Sequence, residues 1–154
     1  MLLRFDNGDP YATGAAPYTY RPATERETSP RIILTVSINN FETLAFVDTG
    51  GVFAIIDPEI GHHLNLNPED GAPAPKLYWR GETISGVLHR VSLTLLADIG
   101  DSLTIDATAF IPQLAPRQGW PGDFPCILGM SGCFERLRFA VDPATDTFYF
   151  GELV

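Results

Sequence analysis

The sequence carries, at residues 46–51, the run Phe46-Val47-Asp48-Thr49-Gly50-Gly51, in which strand-forming residues lead directly into an acid and two glycines. A second apolar run, residues 52–56, follows at once. Because both runs favour burial, the carboxylate between them is expected to be partly shielded from water. The same residues also suit an ordinary turn between two strands with Asp48 in solvent, so the rest of the chain must decide between these interpretations.

The segment before the acid has the pattern of a β-hairpin. Residues 31–38 are rich in β-branched side chains and alternate from Ile33 onward, which is typical of a strand. Asn39-Asn40 supplies two residues that tolerate positive φ, and residues 43–47 resume as a second strand. The acid therefore follows the second strand of a predicted hairpin.

Strands predominate in the rest of the sequence as well. Asp57, Pro58 and Glu59 predict the start of a short helix, as an N-cap, a proline at the first helical position and an acid in the first turn. One more helical turn is predicted near residues 134–137. Further strands are predicted over residues 77–79, 83–97, 102–111, 126–128, 138–141 and 147–150. Seven or so strands with one or two short helices indicate an all-β barrel or sandwich.

The chain has the length of one domain, at 154 residues. Residues 1–30 contain several prolines and glycines, with neither a helical period nor a sustained alternation. They are predicted to form an extended or partly ordered N-terminal arm. Residues 31–154 are predicted to form the domain itself.

The charge balance bears on possible partners. With 10 basic and 19 acidic residues the formal net charge is −9, and Lys76 is the single lysine. Phosphates of nucleic acids and of anionic membrane surfaces would be repelled, so neither is expected as a partner. No apolar run approaches the roughly 20 residues that span a bilayer. Since the first residues do not resemble a signal peptide, a cytoplasmic location is expected.

The sequence contains no motif that is typical of a metal-binding or cofactor-binding site. His62 and His63 are adjacent, so their side chains point in different directions and do not suit a shared metal ion. Cys126 and Cys133 are interpreted as small buried hydrophobic residues. Neither a metal nor a cofactor is therefore expected.

Two motifs resemble a known family when they are taken together. Asp48-Thr49-Gly50 and the apolar-apolar-glycine signature Ile127-Leu128-Gly129 resemble those of the retropepsin-like aspartic proteases, the single-lobed relatives of pepsin. The resemblance extends in order over roughly residues 30–151. One departure is Gly51, where the family usually has alanine or serine, and another is the longer loop from Pro112 to Pro125.

The resemblance implies a closed acid-protease barrel and an aspartic endopeptidase that hydrolyses extended polypeptides with apolar side chains beside the cleaved bond. Such chemistry needs two neighbouring carboxyl groups that share a proton, one as base and one as acid. The sequence contains no second Asp-Thr-Gly or Asp-Ser-Gly. The partner acid would therefore be Asp48 of a second copy, which makes a homodimer part of the expected site.

The resemblance also implies roles for the neighbouring residues. Thr49 would bond across the two-fold axis, and Gly50 and Gly51 would leave room for substrate or for the other subunit, although turn geometry alone also explains these glycines. Ile127, Leu128 and Gly129 would pack behind the acid, and strand 147–150, possibly with the arm, would build the dimer sheet. A hairpin flap that closes over the substrate is assigned to Tyr78, Trp79, Arg80, Gly81, Glu82 and Thr83.

Two other functions are compatible with the sequence. One is a catalytically silent dimeric peptide-binding or assembly module with the same fold, because a fold does not fix a function. The other is a monomeric β-barrel that binds an unrelated small ligand. Trp79 can likewise be explained by packing against the barrel and without any contact to substrate.

Overall fold

The computed structural model describes residues 1–115 and 119–153. Residues 116–118, within the predicted loop from Pro112 to Pro125, and residue 154, the end of the predicted domain, lie outside the described residues. The strands are β1 (Gly14–Pro17), β2 (Thr19–Arg21), β3 (Arg31–Ile38), β4 (Phe41–Val47), β5 (Ala54–Ile56), β6 (Ala72–Pro73), β7 (Leu77–Trp79), β8 (Glu82–Ile84), β9 (Gly86–Leu95), β10 (Ile99–Gly100), β11 (Leu103–Pro112), β12 (Cys126–Leu128), β13 (Leu137–Asp142) and β14 (Thr147–Glu152). The helical segments are α1 (Pro58–His63) and 3-10 turns at Pro68–Asp70 and Phe134–Arg136.

Six strands close into a barrel in the order β3-β4-β12-β5-β11-β9, because β3 also pairs with β9. Strand β12 lies between β4, to which it is parallel, and β5, to which it is antiparallel. Strands β2 and β6 extend the sheet beyond the ring. The predicted all-β fold with a closed barrel and very few helices is confirmed.

A second sheet has the order β10-β1-β14-β13. Within it, Gly14–Pro17 pairs with β14 on one side, and β13 pairs with β14 on the other. The predicted arm thus supplies one strand to this sheet and another, β2, to the barrel sheet. Strands this short, of 4 and 3 residues, offer too few positions for an alternation to be recognised in the sequence. The division of the chain at residue 30 remains a prediction.

The local signals read from the sequence explain several turns. Asn39 and Asn40 have φ values of 47° and 67°, which is the left-handed conformation expected for the turn between β3 and β4. The Asp57 carboxylate caps α1 by accepting a hydrogen bond of 2.8 Å from the Glu59 backbone N–H. Among the described residues, no helix combines the length and the apolar character that crossing a membrane requires.

Phe46 connects the core to the loop that carries the acid. It is fully buried in the smaller of two apolar clusters, together with Ile55, Ile127 and Phe124, and its ring lies 5.3 Å from that of Phe124. Burial of a phenylalanine side chain stabilises the folded state by roughly 2–3 kcal/mol. The end of β4, and with it Asp48, is thereby held at a fixed place on the barrel.

Candidate active site

Asp48 follows β4 immediately, and its backbone is bound to β12. The Asp48 N–H donates a hydrogen bond of 2.8 Å to the Leu128 carbonyl, and the Gly51 N–H donates one of 2.9 Å to the Asp48 carbonyl. The side chain is half-buried, and its Oδ1 accepts a hydrogen bond of 3.2 Å from the Gly50 N–H. The carboxylate thus has a fixed position, which distinguishes it from an acid on a fully solvated turn.

The segment after Leu128 crosses behind the Asp48 loop. Gly129 donates a hydrogen bond of 2.7 Å to the Phe53 carbonyl, and Met130 donates one of 2.9 Å to the Gly51 carbonyl. In return the Phe53 N–H donates to the Ser131 carbonyl at 3.0 Å. These backbone bonds make the loop and the crossing segment one unit.

Gly129 is required by this crossing. A Cβ atom there would lie 2.5 Å from the Phe53 carbonyl oxygen and 2.8 Å from the Gly51 carbonyl carbon, so no other residue fits without displacing backbone. Gly51 is less restricted, since a Cβ would lie 3.3 Å from both the carbonyl oxygen and Oδ2 of Asp48. The glycine at position 51 therefore leaves free the space beside the carboxylate.

Thr49 lies on the outer side of the loop. It is exposed, and within residues 1–115 and 119–153 its hydroxyl has no hydrogen-bond partner. A contact of this hydroxyl with a second copy, as the resemblance implies, remains a prediction.

A pocket of about 210 Å³ opens beside the carboxylate. Its lining comes from the acid loop, from the crossing segment and from the hairpin β7–β8: Asp48, Gly50, Gly51, Val52, Ile55, Leu77, Tyr78, Trp79, Ile127 and Gly129. Most of these side chains are apolar or are glycines. The pocket can therefore hold an apolar group next to a carboxylate.

The hairpin β7–β8 packs on the body of the molecule through the buried Ile84 and the partly buried Leu77 and Trp79, all in the smaller apolar cluster. Trp79 itself is half-buried. Its ring lies 6.3 Å from that of Phe46 and 6.3 Å from that of Trp120. Its Nε1–H is buried and has no hydrogen-bond partner among residues 1–115 and 119–153. Trp79 thus packs against the barrel and also lines the pocket, while a contact with substrate remains a prediction.

The tip of the hairpin lies away from the pocket. Arg80 and Gly81 have φ values of 50° and 81° and form the turn. The Arg80 guanidinium forms an ion pair with Glu27 of the arm. Glu82 lines a separate cleft that also contains Asp57 and Trp120.

The structure brings to one pocket seven of the predicted site residues: Asp48, Gly50, Gly51, Tyr78, Trp79, Ile127 and Gly129. Thr49 does not line this pocket. Leu128 contributes to the site only through its backbone carbonyl, which accepts the hydrogen bond from the Asp48 N–H, and its side chain lies in the larger core cluster. Arg80, Gly81, Glu82 and Thr83 do not line this pocket. Sequence analysis missed Leu77, Val52 and Ile55 as lining residues, although they flank the motifs directly.

The other titratable residues considered as functional candidates, two cysteines and a histidine, lie in surroundings that suit a structural role. Cys126 and Cys133 are buried free thiols, and burial raises the pKa of Cys126 far above its ordinary range and that of Cys133 to about 12. His89 has its Nε2 2.9 Å from the Asn67 carbonyl oxygen. Among the described residues, no group of three or more His, Cys, Asp or Glu side chains suits a metal ion.

The fold was compared with known proteins. No family model matches the chain, and no curated protein sequence matches it. A solved structure of a retropepsin-like aspartic protease from Rickettsia conorii matches with a TM-score of 0.55 and 18% sequence identity, over 91% of this chain and 94% of that one. The chain therefore has the retropepsin-like fold, and the resemblance based on the two motifs is confirmed at the level of the fold.

Two further solved structures resemble the chain with lower scores. The retroviral protease-like domain of Ddi1 from Leishmania major has a TM-score of 0.49 and 15% identity, over 79% of this chain and 94% of that one. The EIAV protease in complex with an inhibitor has a TM-score of 0.47 and 15% identity, over 70% of this chain and 88% of that one.

Proposed function

We propose that this chain is one half of a homodimeric aspartic endopeptidase in which Asp48 of each copy supplies one carboxyl group. The observation that carries the proposal is the position of the Asp48 carboxylate. It is half-buried, lies on a loop tied to the crossing segment by four backbone hydrogen bonds, and opens into an apolar pocket under a hairpin.

The chemistry requires a second acid. Hydrolysis of a peptide bond by carboxylates needs an ionised group that activates water and a protonated group that donates to the carbonyl oxygen. Asp48 is the acid that lines the pocket. Two copies related by a two-fold axis would supply two identical carboxyl groups that share a proton, and the shared proton separates their roles.

The substrate class follows from the pocket. Its walls are the apolar side chains of Ile55, Ile127, Leu77 and Trp79. An extended polypeptide with an apolar side chain next to the cleaved bond suits this lining, and the hairpin would cover the bound chain and exclude water.

A dimer formed by continuing a sheet needs an unpaired strand edge, and β14 does not provide one. Both edges of β14 are paired within the chain, by β1 and by β13, so this strand cannot accept a strand from a second copy without losing one of them. The outer side of β13 ends the sheet in the described part of the chain. Because the other edge strand, β10, has only 2 residues and β13 has 6, a sheet that continues across the two-fold axis would begin at β13 and not at β14, the strand that the resemblance implied.

The first test compares Asp48→Asn with the wild type on a diverse peptide mixture between about pH 3 and pH 7, with products identified by mass spectrometry. We expect turnover to fall by at least about 10³-fold, because the variant lacks both the base and the acid. Asp98→Asn, which neutralises an exposed carboxylate, is the matched control and should retain activity.

Mixing experiments test the shared site. When wild type and Asp48→Asn are unfolded and refolded together, activity should fall as the square of the wild-type fraction, because both copies must carry the acid. A linear fall would contradict a site built from two chains. Tight peptide binding without cleavage of any peptide would instead favour a silent peptide-binding module, and a strictly monomeric protein in sedimentation would favour a small-ligand barrel.

A further inference from the structure

Glu27 is an acid of the arm with an unusual set of contacts. Its side chain is only 7% exposed, and its carboxylate accepts hydrogen bonds from the Arg31 side chain at 3.3 and 3.4 Å and from the Ala23 N–H at 3.3 Å. It also binds the Arg80 guanidinium at the tip of the hairpin. One buried carboxylate therefore joins three segments: the arm, the start of β3 and the hairpin.

The hairpin depends on such contacts. Strands β7 and β8 form a separate two-stranded sheet and pair with no other strand in the described part of the chain. An isolated two-stranded hairpin is marginally stable in water. Its position over the pocket must therefore come from side chains: Ile84, which is buried, and Leu77 pack in the smaller apolar cluster, Trp79 packs on Phe46 and Trp120, and Arg80 binds Glu27.

Arg31 links the same carboxylate to the acid loop. Its guanidinium lies over the Phe46 ring, 4.8 Å from the centroid, and Phe46 stands two residues before Asp48 on β4. The chain of contacts Arg80, Glu27, Arg31 and Phe46 thus runs from the hairpin tip to the strand that carries the acid.

We propose that Glu27 is a positioning residue, which holds the hairpin tip through Arg80 and so keeps Trp79 at the wall of the Asp48 pocket. This inference rests on the proposed function only in taking that pocket as the substrate site. The arm is then a working part of the site, since it sets the closed position of the hairpin.

The molecule contains a reporter for this contact. It has two tryptophans, Trp79 and Trp120, and their rings face each other at 6.3 Å. Intrinsic fluorescence and its quenching by acrylamide therefore report on the contact between Trp79 of the hairpin and Trp120. Neither measurement depends on catalysis.

The test uses Glu27→Gln, with Glu25→Gln as the matched control because Glu25 is an exposed acid two residues away on the same segment. We expect Glu27→Gln to raise the acrylamide quenching constant about twofold and to speed tryptic cleavage after Arg80 about tenfold, since a charge-assisted contact is lost. Glu25→Gln should match the wild type. Equal quenching in Glu27→Gln and wild type would overturn the proposal.

Arg80→Gln provides a second variant that leaves the arm untouched. It should raise quenching as much as Glu27→Gln, and the double variant should exceed neither, because both remove one contact. Additive effects would overturn the proposal.

Peptide turnover separates this inference from the proposed function. If the chain is a peptidase, Glu27→Gln should raise KM about tenfold with kcat changed by less than about twofold, since the hairpin binds substrate and carries no reacting group. An active protein whose KM and quenching are both unchanged in Glu27→Gln would reject the role of Glu27 alone. An inactive wild type in which the quenching results hold would reject the peptidase and retain the positioning role.

Discussion

The two walls of the pocket are held in different ways. The wall formed by the Asp48 loop and the crossing segment is tied by backbone hydrogen bonds, and Gly129 permits its close approach. The opposite wall, the hairpin β7–β8, is attached by side chains, among them those of Ile84, Trp79 and Arg80. Backbone bonds in a barrel open only with much of the fold, whereas side-chain contacts at a surface can break one by one.

This contrast indicates a division of labour. Under the proposed function, a carboxyl pair would need positions fixed within a fraction of an ångström, which a rigid loop provides. A cover over an extended polypeptide would have to open and close, which weakly attached elements do readily. Variants that disturb one wall at a time therefore test whether the two walls respond separately.

The largest effect is expected from Gly129→Ala. The added Cβ would meet the backbone of Phe53 and Gly51. Because this backbone would have to move, the free energy of unfolding should fall by about 3 kcal/mol. Urea unfolding measures this change. Gly119→Ala is the control, because a Cβ there meets no atom of the described residues within 4 Å, and an equal loss in both variants would contradict the close-crossing explanation.

A smaller loss is expected from Trp79→Ala on the other wall. Removal of a half-buried indole that packs on Phe46 and Trp120 should cost about 2 kcal/mol. Tyr78→Ala, next to it on the hairpin, removes a ring that is 79% exposed and should change stability by less than about 0.5 kcal/mol. Comparable losses in the two variants would show that the hairpin is not attached through Trp79.

Gly51→Ala should affect the acid more than the fold. The Cβ would lie 3.3 Å from Asp48 Oδ2, which requires a shift of a few tenths of an ångström, and we expect less than about 1 kcal/mol of lost stability. A crystal structure of the variant would show the moved carboxylate. An unmoved carboxylate would mean that glycine at this position has no steric role.

The smallest effect concerns pH and Glu27. Burial raises the pKa of this carboxyl. The hydrogen bonds and charge of Arg31, together with the hydrogen bonds from the Ala23 N–H and Arg80, lower the pKa by more than burial raises it, so the folded pKa lies below its ordinary value. The resulting stabilisation is present above the unfolded pKa and is lost as the pH falls through the folded pKa. Wild type should therefore lose its stability advantage over Glu27→Gln as the pH drops from about 6 to about 3. An advantage that stays constant in urea unfolding across this range would contradict a folded pKa below the ordinary value.

Local signals in the sequence predicted much of the barrel. The turn at Asn39 and Asn40 and the cap at Asp57 depend on side chains within two or three residues, so their chemistry is visible in one short stretch. The strands of the arm were not predicted. They have only 4 and 3 residues, too few for a visible alternation, and they are held by pairing with β14 and β3.

The site was predictable to the same extent. Asp48 and Gly129 belong to motifs whose residue types are fixed by tight backbone geometry, and the structure brings both to one pocket. The partnership of Glu27 with Arg80 joins residues far apart in the sequence, and neither belongs to a motif. The surroundings of the Trp79 ring were also not predictable, because one of its neighbours, Trp120, lies far along the chain.

The pairing of β12 with β4 also sets the order in which the molecule can be completed during synthesis. Apart from the hydrogen bonds within the loop itself, the loop of Asp48 is bonded to residues 128–131, which leave the ribosome long after the acid. Because non-local pairing waits for the later strand, a nascent chain carries the carboxylate without a formed pocket around it. The growing polypeptide is thereby unable to use this site until nearly all of the barrel has been translated.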